Sequence, residues 1–373
     1  MLEPELLVGV IGCGGFAPFA LQQFEQVPRV RMVALVEPNR EAAGAAANRF
    51  GFEIISEFDV LLARPDIDLV YIATPPFLHY DQGLQALQAG KHVICEKPLA
   101  MTVAQADELV AAAREHDRLL VANLMQRYNP LFDAVKALVD EGVLGELVHG
   151  YFENYAADEG LGPEHWFWDR AKSGGIFIEH GVHFFDLFAG WLGDGEVVAA
   201  QAATRPESGV EDQVHATVRY PGGALVDFYH GFHQPKRLDR QELRLVFEHG
   251  DVTLHEWIPT RFRIYAAANE QQIRRLRELF PNGRLQPTQT YGGRHRQCRG
   301  RFKELDVHQL VEITGGEEQS KLHRYGELLR AFFEDQAAWI RDRGHPRRLT
   351  EQNGRDSVVL AERADRLAHR LEN

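Results

Sequence analysis

The stretch Val8-Gly9-Val10-Ile11-Gly12-Cys13-Gly14-Gly15-Phe16-Ala17 joins two segments that ask for different backbones. Val8, Val10 and Ile11 are β-branched and apolar, as a strand buried on both faces requires. Gly12, Gly14 and Ala17 then occupy the three small positions of a G-x-G-x-x-A turn that leads into a helix. Gly12 permits the tight turn, Gly14 lets a ligand approach the backbone, and Ala17 lets the helix lie close on the strand. Free N–H groups at the helix start suit a pyrophosphate. Gly12, Cys13, Gly14, Gly15, Phe16 and Ala17 are therefore the expected phosphate-side contacts of a dinucleotide.

A second strand-like run, Val30–Val36, leads to Glu37, 20 residues beyond Ala17. An acidic residue at that distance accepts hydrogen bonds from a ribose diol. It would repel a 2′-phosphate, so the charge favours NAD, with NADP the lesser alternative that Arg40 leaves open.

Outward from this motif, Leu69–Ala73, His92–Cys95 and Leu119–Ala122 read as further buried strands. Between the strands, Phe16–Gln26, Arg40–Phe50, Tyr80–Ala89 and Val103–His116 carry apolar residues at helical spacing. This alternation predicts an α/β fold, an N-terminal doubly wound parallel sheet of the Rossmann type over residues 1–125.

Past Arg127–Pro130 the pattern changes. After one more helix, Leu131–Glu141, segments with period 2 dominate from Leu147 onward. Val214, Ala216, Val218 and Tyr220 fall on one face, the turn Pro221-Gly222-Gly223 follows, and Ala224–His230 and Leu243, Leu245 and Phe247 continue the pattern. Residues 126–373 thus read as an α+β domain with a large, mainly antiparallel open sheet for substrate binding and oligomerisation. The helix Gly175–Trp191 interrupts it, and terminal helices at 322–341 and 351–371 close it; Gln272–Lys303 fits no element and could be an oligomer arm.

Bulk properties exclude several classes. A net charge of −13 argues against a nucleic-acid partner. The basic run Arg294, His295, Arg296, Arg299, Arg301, Lys303 reads as a solvated loop, with a clamp for a phosphorylated ligand as the functional alternative. Cys13, Cys95 and Cys298 are too few and scattered for a disulfide framework. No apolar run reaches the ~18 residues of a membrane span. Glu3, Pro4 and Glu5 begin no export signal, so the protein is expected to be soluble and cytoplasmic.

At Ala73-Thr74-Pro75-Pro76, at His79 and at Gly90-Lys91-His92-Val93-Ile94-Cys95-Glu96-Lys97-Pro98 the chain resembles the Gfo/Idh/MocA oxidoreductase family, the group of glucose-fructose oxidoreductase and inositol 2-dehydrogenase. Resemblance continues through Arg127-Tyr128-Asn129-Pro130 and residues 174–186, and thins beyond about residue 230. It implies an NAD(P)-dependent dehydrogenase acting on CH–OH groups of a sugar, inositol or related polyol. It also implies cofactor contacts at Thr74, Pro75, His79, Glu96 and Lys97, and often a cis peptide before Pro98. An uncovered antiparallel sheet face further suggests a homodimer or homotetramer.

Lys97 follows the fifth strand, at the end where open α/β sheets bind ligands. There it can hydrogen-bond a substrate oxygen and stabilise developing negative charge. Glu179, His183 and Asp186 stand at i, i+4 and i+7, one face of a helix. His183 would take the hydroxyl proton, and Glu179 would orient its ring. Family members usually have Asp where this chain has Glu179 and a third glycine where it has Ser173, so the carboxylate arm is one methylene longer. Arg127 and Asp186 match family positions that often touch substrate, and an inter-domain salt bridge is the equal alternative. Trp166 and Trp168 suit either the apolar side of a sugar ring or the core. His180 with His183, and His230 with His233, repeat an i, i+3 spacing but offer too few ligands for zinc, so no metal is expected. Two competing functions share the fold: an NAD-recycling glycosidase that works by transient oxidation, and a dinucleotide-sensing regulator without catalysis. Lys97 together with His183 counts against the regulator.

Overall fold

A computed structural model describes residues 5–158, 160–316 and 319–370; Glu3, Pro4 and Leu371 lie outside the described residues. Six parallel strands come first: β1 (Leu6–Ile11), β2 (Val30–Val36), β3 (Glu53–Ile54), β4 (Leu69–Ile72), β5 (His92–Cys95) and β6 (Leu120–Ala122), in the order β3-β2-β1-β4-β5-β6. Helices α1 (Ala17–Phe24), α2 (Arg40–Phe50), α3 (Phe58–Leu62), α4 (Pro76–Gln88) and α5 (Val103–Glu115) alternate with them. All four residues of β4 are fully buried, which is why this sheet reads as apolar bursts rather than as alternation.

The expected strands recur within a residue at each end. Two elements were not anticipated, β3 and α3, because two and five residues are too short to show a period. Helix α4 begins at Pro76, four residues before the expected Tyr80. Proline at the first helical position lacks an N–H that the helix does not need there, so it starts the helix rather than barring it.

Beyond these lie α6 (Pro130–Asp140), β7 (Leu147–Tyr155), the short α7 (Arg170–Ser173), a π turn (Phe177–Gly181) and α8 (Val182–Leu192). The strands that follow are β8 (Glu196–Thr204), β9 (Glu211–Arg219), β10 (Leu225–Gly231), β11 (Arg240–Phe247), β12 (Gly250–His255) and β13 (Arg261–Ala268). Next come α9 (Glu270–Leu279), β14 (Arg284–Thr290), β15 (Gln297–Gly300), β16 (Lys303–Asp306) and β17 (Gln309–Gly316). Helices α10 (Lys321–Arg341) and α11 (Glu351–Ala368) complete the described chain.

Nine of the later strands form one sheet, β14-β17-β13-β12-β11-β7-β10-β9-β8, antiparallel throughout except where β10 runs parallel to β7. Val214, Ala216, Val218, Leu243, Leu245 and Phe247 are all buried, as their alternation predicts. The unassigned stretch 272–303 resolves into most of α9, the edge strand β14 and part of a separate β15–β16 hairpin. Its basic side chains make surface ion pairs, Arg296 with Asp306 at 2.8 Å and Arg301 with Glu146 at 3.1 Å.

The described residues group into two compact units that do not follow a single cut at 125/126. The first lies within Met1–Tyr128, Pro163–Asp186 and Tyr325–Asp365; the second within Asn129–Gly162, Leu187–Arg324 and Arg366–Asn373. The first unit therefore recruits two later segments, which bring their own apolar and charged side chains to the parallel sheet.

Candidate active site

The glycine turn is built as its sequence demands. Gly12 has φ 82°, and a Cβ there would stand 2.8 Å from the Ala73 carbonyl oxygen, so no other residue fits. At Gly14 a Cβ would meet no protein atom within 4 Å. Glycine at 14 is thus not a packing requirement, and what it preserves is close approach to the backbone, the property a pyrophosphate needs.

Glu37 is fixed beside this turn. The Cys13 N–H donates to one carboxylate oxygen at 2.9 Å and the Asn39 N–H donates to the other at 2.8 Å. Burial, reinforced by Glu37, pushes the Cys13 thiol up to about 11, so it stays protonated and is no nucleophile.

At the far end of β5, Glu96 accepts from the Tyr71 hydroxyl at 2.6 Å and from Asn123 Nδ2 at 2.9 Å. Burial raises its pKa, and those two donors oppose the rise. The His79 ring lies between the Thr74 and Pro98 carbonyl oxygens, each 2.7 Å from a ring nitrogen, and the one N–H of the neutral ring donates to one of them. The Lys97–Pro98 peptide is cis.

Lys97 Nζ donates to the backbone oxygen of Glu179 at 2.9 Å and pairs with its carboxylate. Glu179 sits inside the π turn, a widened turn found mostly at functional sites, whereas His183 and Asp186 sit in the α-helix after it. The single α-helical face implied by their spacing is therefore broken: Glu179 turns to Lys97, and Asp186 turns to Arg127. His183 is buried, and burial together with the Lys97 charge holds its pKa well below 6.5, so the imidazole is neutral. The expectation that Glu179 orients His183 meets a different geometry, since the carboxylate's contacts run to the ammonium and its longer arm suits that reach.

Arg127 grips Asp186 with two parallel bonds, Nε to Oδ2 at 2.8 Å and Nη2 to Oδ1 at 2.7 Å, while Asn353 Nδ2 stands 3.5 Å from Oδ1. Both members belong to the first unit, so this is a salt bridge within that unit. Burial lifts the Asp186 pKa even against Arg127. Trp166 is half-buried in a single 3-10 turn with Phe167 and Trp168, and its ring packs beside His165 at 5.2 Å. Tyr71, Asn123 and Asn353 were not anticipated. A tyrosine inside a strand buried on both faces was the one available signal, because its hydroxyl must find a partner. Among the described residues, no three His, Cys, Asp or Glu side chains converge as metal ligands, and no helix is long and apolar enough to cross a membrane.

A glycine turn open to phosphate and a braced carboxylate on the second strand define a Rossmann dinucleotide-binding protein. The model of the oxidoreductase family with NAD-binding Rossmann fold, Gfo/Idh/MocA, matches residues 6–124, and the Gfo/Idh/MocA C-terminal domain matches residues 132–253. The chain belongs to the Gfo/Idh/MocA family.

Among its relatives, dTDP-3,4-didehydro-2,6-dideoxy-alpha-D-glucose 3-reductase of Actinomadura kijaniata is 40% identical over 141 residues, 38% of this chain and 42% of the relative. The 1,5-anhydro-D-fructose reductase of Ensifer adhaerens is 36% identical over 199 residues, 52% of this chain and 59% of the relative. The chain thus spans roughly half the length of the curated relatives it matches. Two solved structures share the fold. The WlbA dehydrogenase from Bordetella pertussis, in complex with NADH and UDP-GlcNAcA, has a TM-score of 0.79 at 21% identity, covering 99% of this chain and 96% of that one. KijD10, a 3-ketoreductase from Actinomadura kijaniata in complex with TDP-benzene and NADP, has a TM-score of 0.73 at 22% identity, covering 97% of each chain.

Proposed function

We propose that this protein transfers hydride between a secondary alcohol of a sugar or polyol and NAD. The observation that carries the reading is the charged Lys97–Glu179 pair set against a neutral, buried His183 at the strand ends that also carry the glycine turn. The names of its relatives, reductases of sugar derivatives, favour a sugar over other alcohols.

A bound dinucleotide would supply the hydride acceptor in its nicotinamide ring, and Gly12 to Ala17, Glu37, Thr74, Pro75, His79 and Glu96 would hold the dinucleotide. Lys97 has three N–H donors. Two are directed at Glu179, through its carboxylate and its backbone oxygen, which leaves one for the substrate oxygen. Charge that develops on that oxygen is stabilised by an ammonium already oriented, so little reorganisation is needed. Neutral His183 can accept the hydroxyl proton during oxidation and return it during reduction. Arg127 and Asp186 contribute by fixing the helix that carries His183, and Trp166 is proposed as an apolar face for the sugar ring.

NAD is favoured over NADP because both Glu37 oxygens are held by backbone N–H groups, which keeps a negative charge where a 2′-phosphate would sit. The uncovered face of the nine-stranded sheet is proposed to join copies into a homodimer or homotetramer. The test is turnover: purified protein with NAD and a panel of sugars and inositols is expected to produce NADH, and Lys97→Ala to lower kcat by at least about a hundredfold. Turnover undiminished in that variant contradicts the role of Lys97, and a panel without any NADH contradicts the activity.

A further inference from the structure

The basic run Arg294–Lys303 has one side chain, Arg296, in the wall of a cavity. The cavity, about 460 Å³, opens between the first turn of α9, the end of β14 with the loop after it, and the start of β17. Glu270, Arg274, Tyr291, Gly292, Arg296 and His308 are among the residues that line it. All its lining residues belong to the second unit, whereas Lys97, Glu179 and His183 belong to the first.

Two guanidiniums reach this cavity from separate elements. Arg296 is held in place, its Nε and Nη2 donating to the two oxygens of Asp306 at 3.1 and 2.8 Å, which leaves Nη1. Arg274 makes no ion pair and no hydrogen bond among the described residues, so all its N–H donors remain available. His308 is engaged elsewhere, with Nε2 2.9 Å from Asp306 Oδ2 and Nδ1 3.6 Å from Glu270 Oε1. The largely exposed Glu270 carboxylate can still accept from hydroxyl groups. Gly292 has φ −136°, and a Cβ there would meet no protein atom within 4 Å. Neither the backbone nor packing demands glycine at 292; what it preserves is access to the loop backbone.

The walls thus set two arginines against one carboxylate in a chain of net charge −13. Planar guanidiniums match the oxygens of a phosphate, which they bind through charge-assisted hydrogen bonds. The volume falls within the roughly 300–1,000 Å³ of small-molecule sites and exceeds what a bare phosphate fills. We propose that this cavity is a second ligand site, built from none of the residues assigned to the dinucleotide or its substrate, and that it takes a phosphate ester of a small polyol. Arg274 and Arg296 hold the phosphate, Glu270 accepts from hydroxyls, and the half-buried Tyr291 ring covers the carbon skeleton.

Calorimetry on the full chain tests this with glucose 6-phosphate as the probe and inorganic phosphate in a parallel titration, at about 0.15 M salt. Arg274→Gln removes the free guanidinium from an exposed position on α9, and Arg277→Gln removes the same charge from the same helix outside the cavity. Glucose 6-phosphate is expected to bind wild type more tightly than inorganic phosphate does, and to bind Arg274→Gln about tenfold more weakly, the scale of one charge-assisted hydrogen bond. Arg277→Gln is expected to stay within about twofold of wild type. No binding to wild type, an affinity that Arg274→Gln leaves unmoved, or equal losses in the two variants overturns the inference. Inorganic phosphate bound as tightly as the ester overturns the assignment of an organic ligand.

Discussion

Under the proposed preference for NAD, Glu37 would act through the neighbours that hold it. A flexible carboxylate could swing away from a 2′-phosphate, but one whose two oxygens accept from the Cys13 and Asn39 N–H groups is held in place. Glu37→Gln retains the size and loses the charge. The ratio of NADPH to NADH dissociation constants, read from fluorescence titration, is expected to shift toward NADPH by about tenfold, the scale of one charge-assisted hydrogen bond. A ratio that does not move would remove Glu37 from cofactor choice. Lys97 shows the converse dependence, since its value as a donor comes from the Glu179 atoms that aim it.

Among the elements, those buried on both faces were the most legible. β1, β2 and β5 match their expected residues at both ends because a short, mostly apolar run is what a strand inside an α/β sheet needs, even with Arg31 of β2 exposed. The glycine turn between β1 and α1 was legible for a related reason: Gly12 answers a local geometric demand, which it meets through its positive φ. The π turn was not legible. A single widened turn changes the backbone but leaves the residue types unaltered, so Glu179, His183 and Asp186 still read as one α-helical face. Nor was the partnership of Arg127 with Asp186 decided by sequence, because a salt bridge and a pair of substrate contacts require the same two residue types.

At the scale of the molecule, four buried imidazoles, His79, His92, His183 and His230, are all depressed by burial, the largest cause in each case. His92 illustrates why, since its Nδ1 accepts the Leu119 N–H at 2.8 Å and three arginines nearby oppose a proton on the ring. In the unfolded chain these groups take up protons below their ordinary value of 6.5, whereas the folded chain refuses them. Stability is therefore expected to be complete above that pH and to fall as pH drops from 6.5 toward the folded values, which are about 3 for His92 and His230. Each group can add a slope of up to about 1.4 kcal/mol per pH unit. Denaturant melts between neutral pH and about pH 5 check this: His92→Asn keeps an acceptor for Leu119 and is expected to flatten the slope, and an unflattened slope would assign the acid sensitivity elsewhere.

Lys97 and His183 come from segments 86 residues apart, and in the proposed mechanism they serve one substrate at one nicotinamide. The most direct measurement is a double-mutant cycle on kcat, using whichever sugar reduces NAD fastest, with Lys97→Ala, His183→Ala and both together. Groups that act as a unit are grossly non-additive, so the double variant is expected to lie within about tenfold of the slower single variant. Losses that multiply in full would mean that the two residues work independently, and would contradict the shared site.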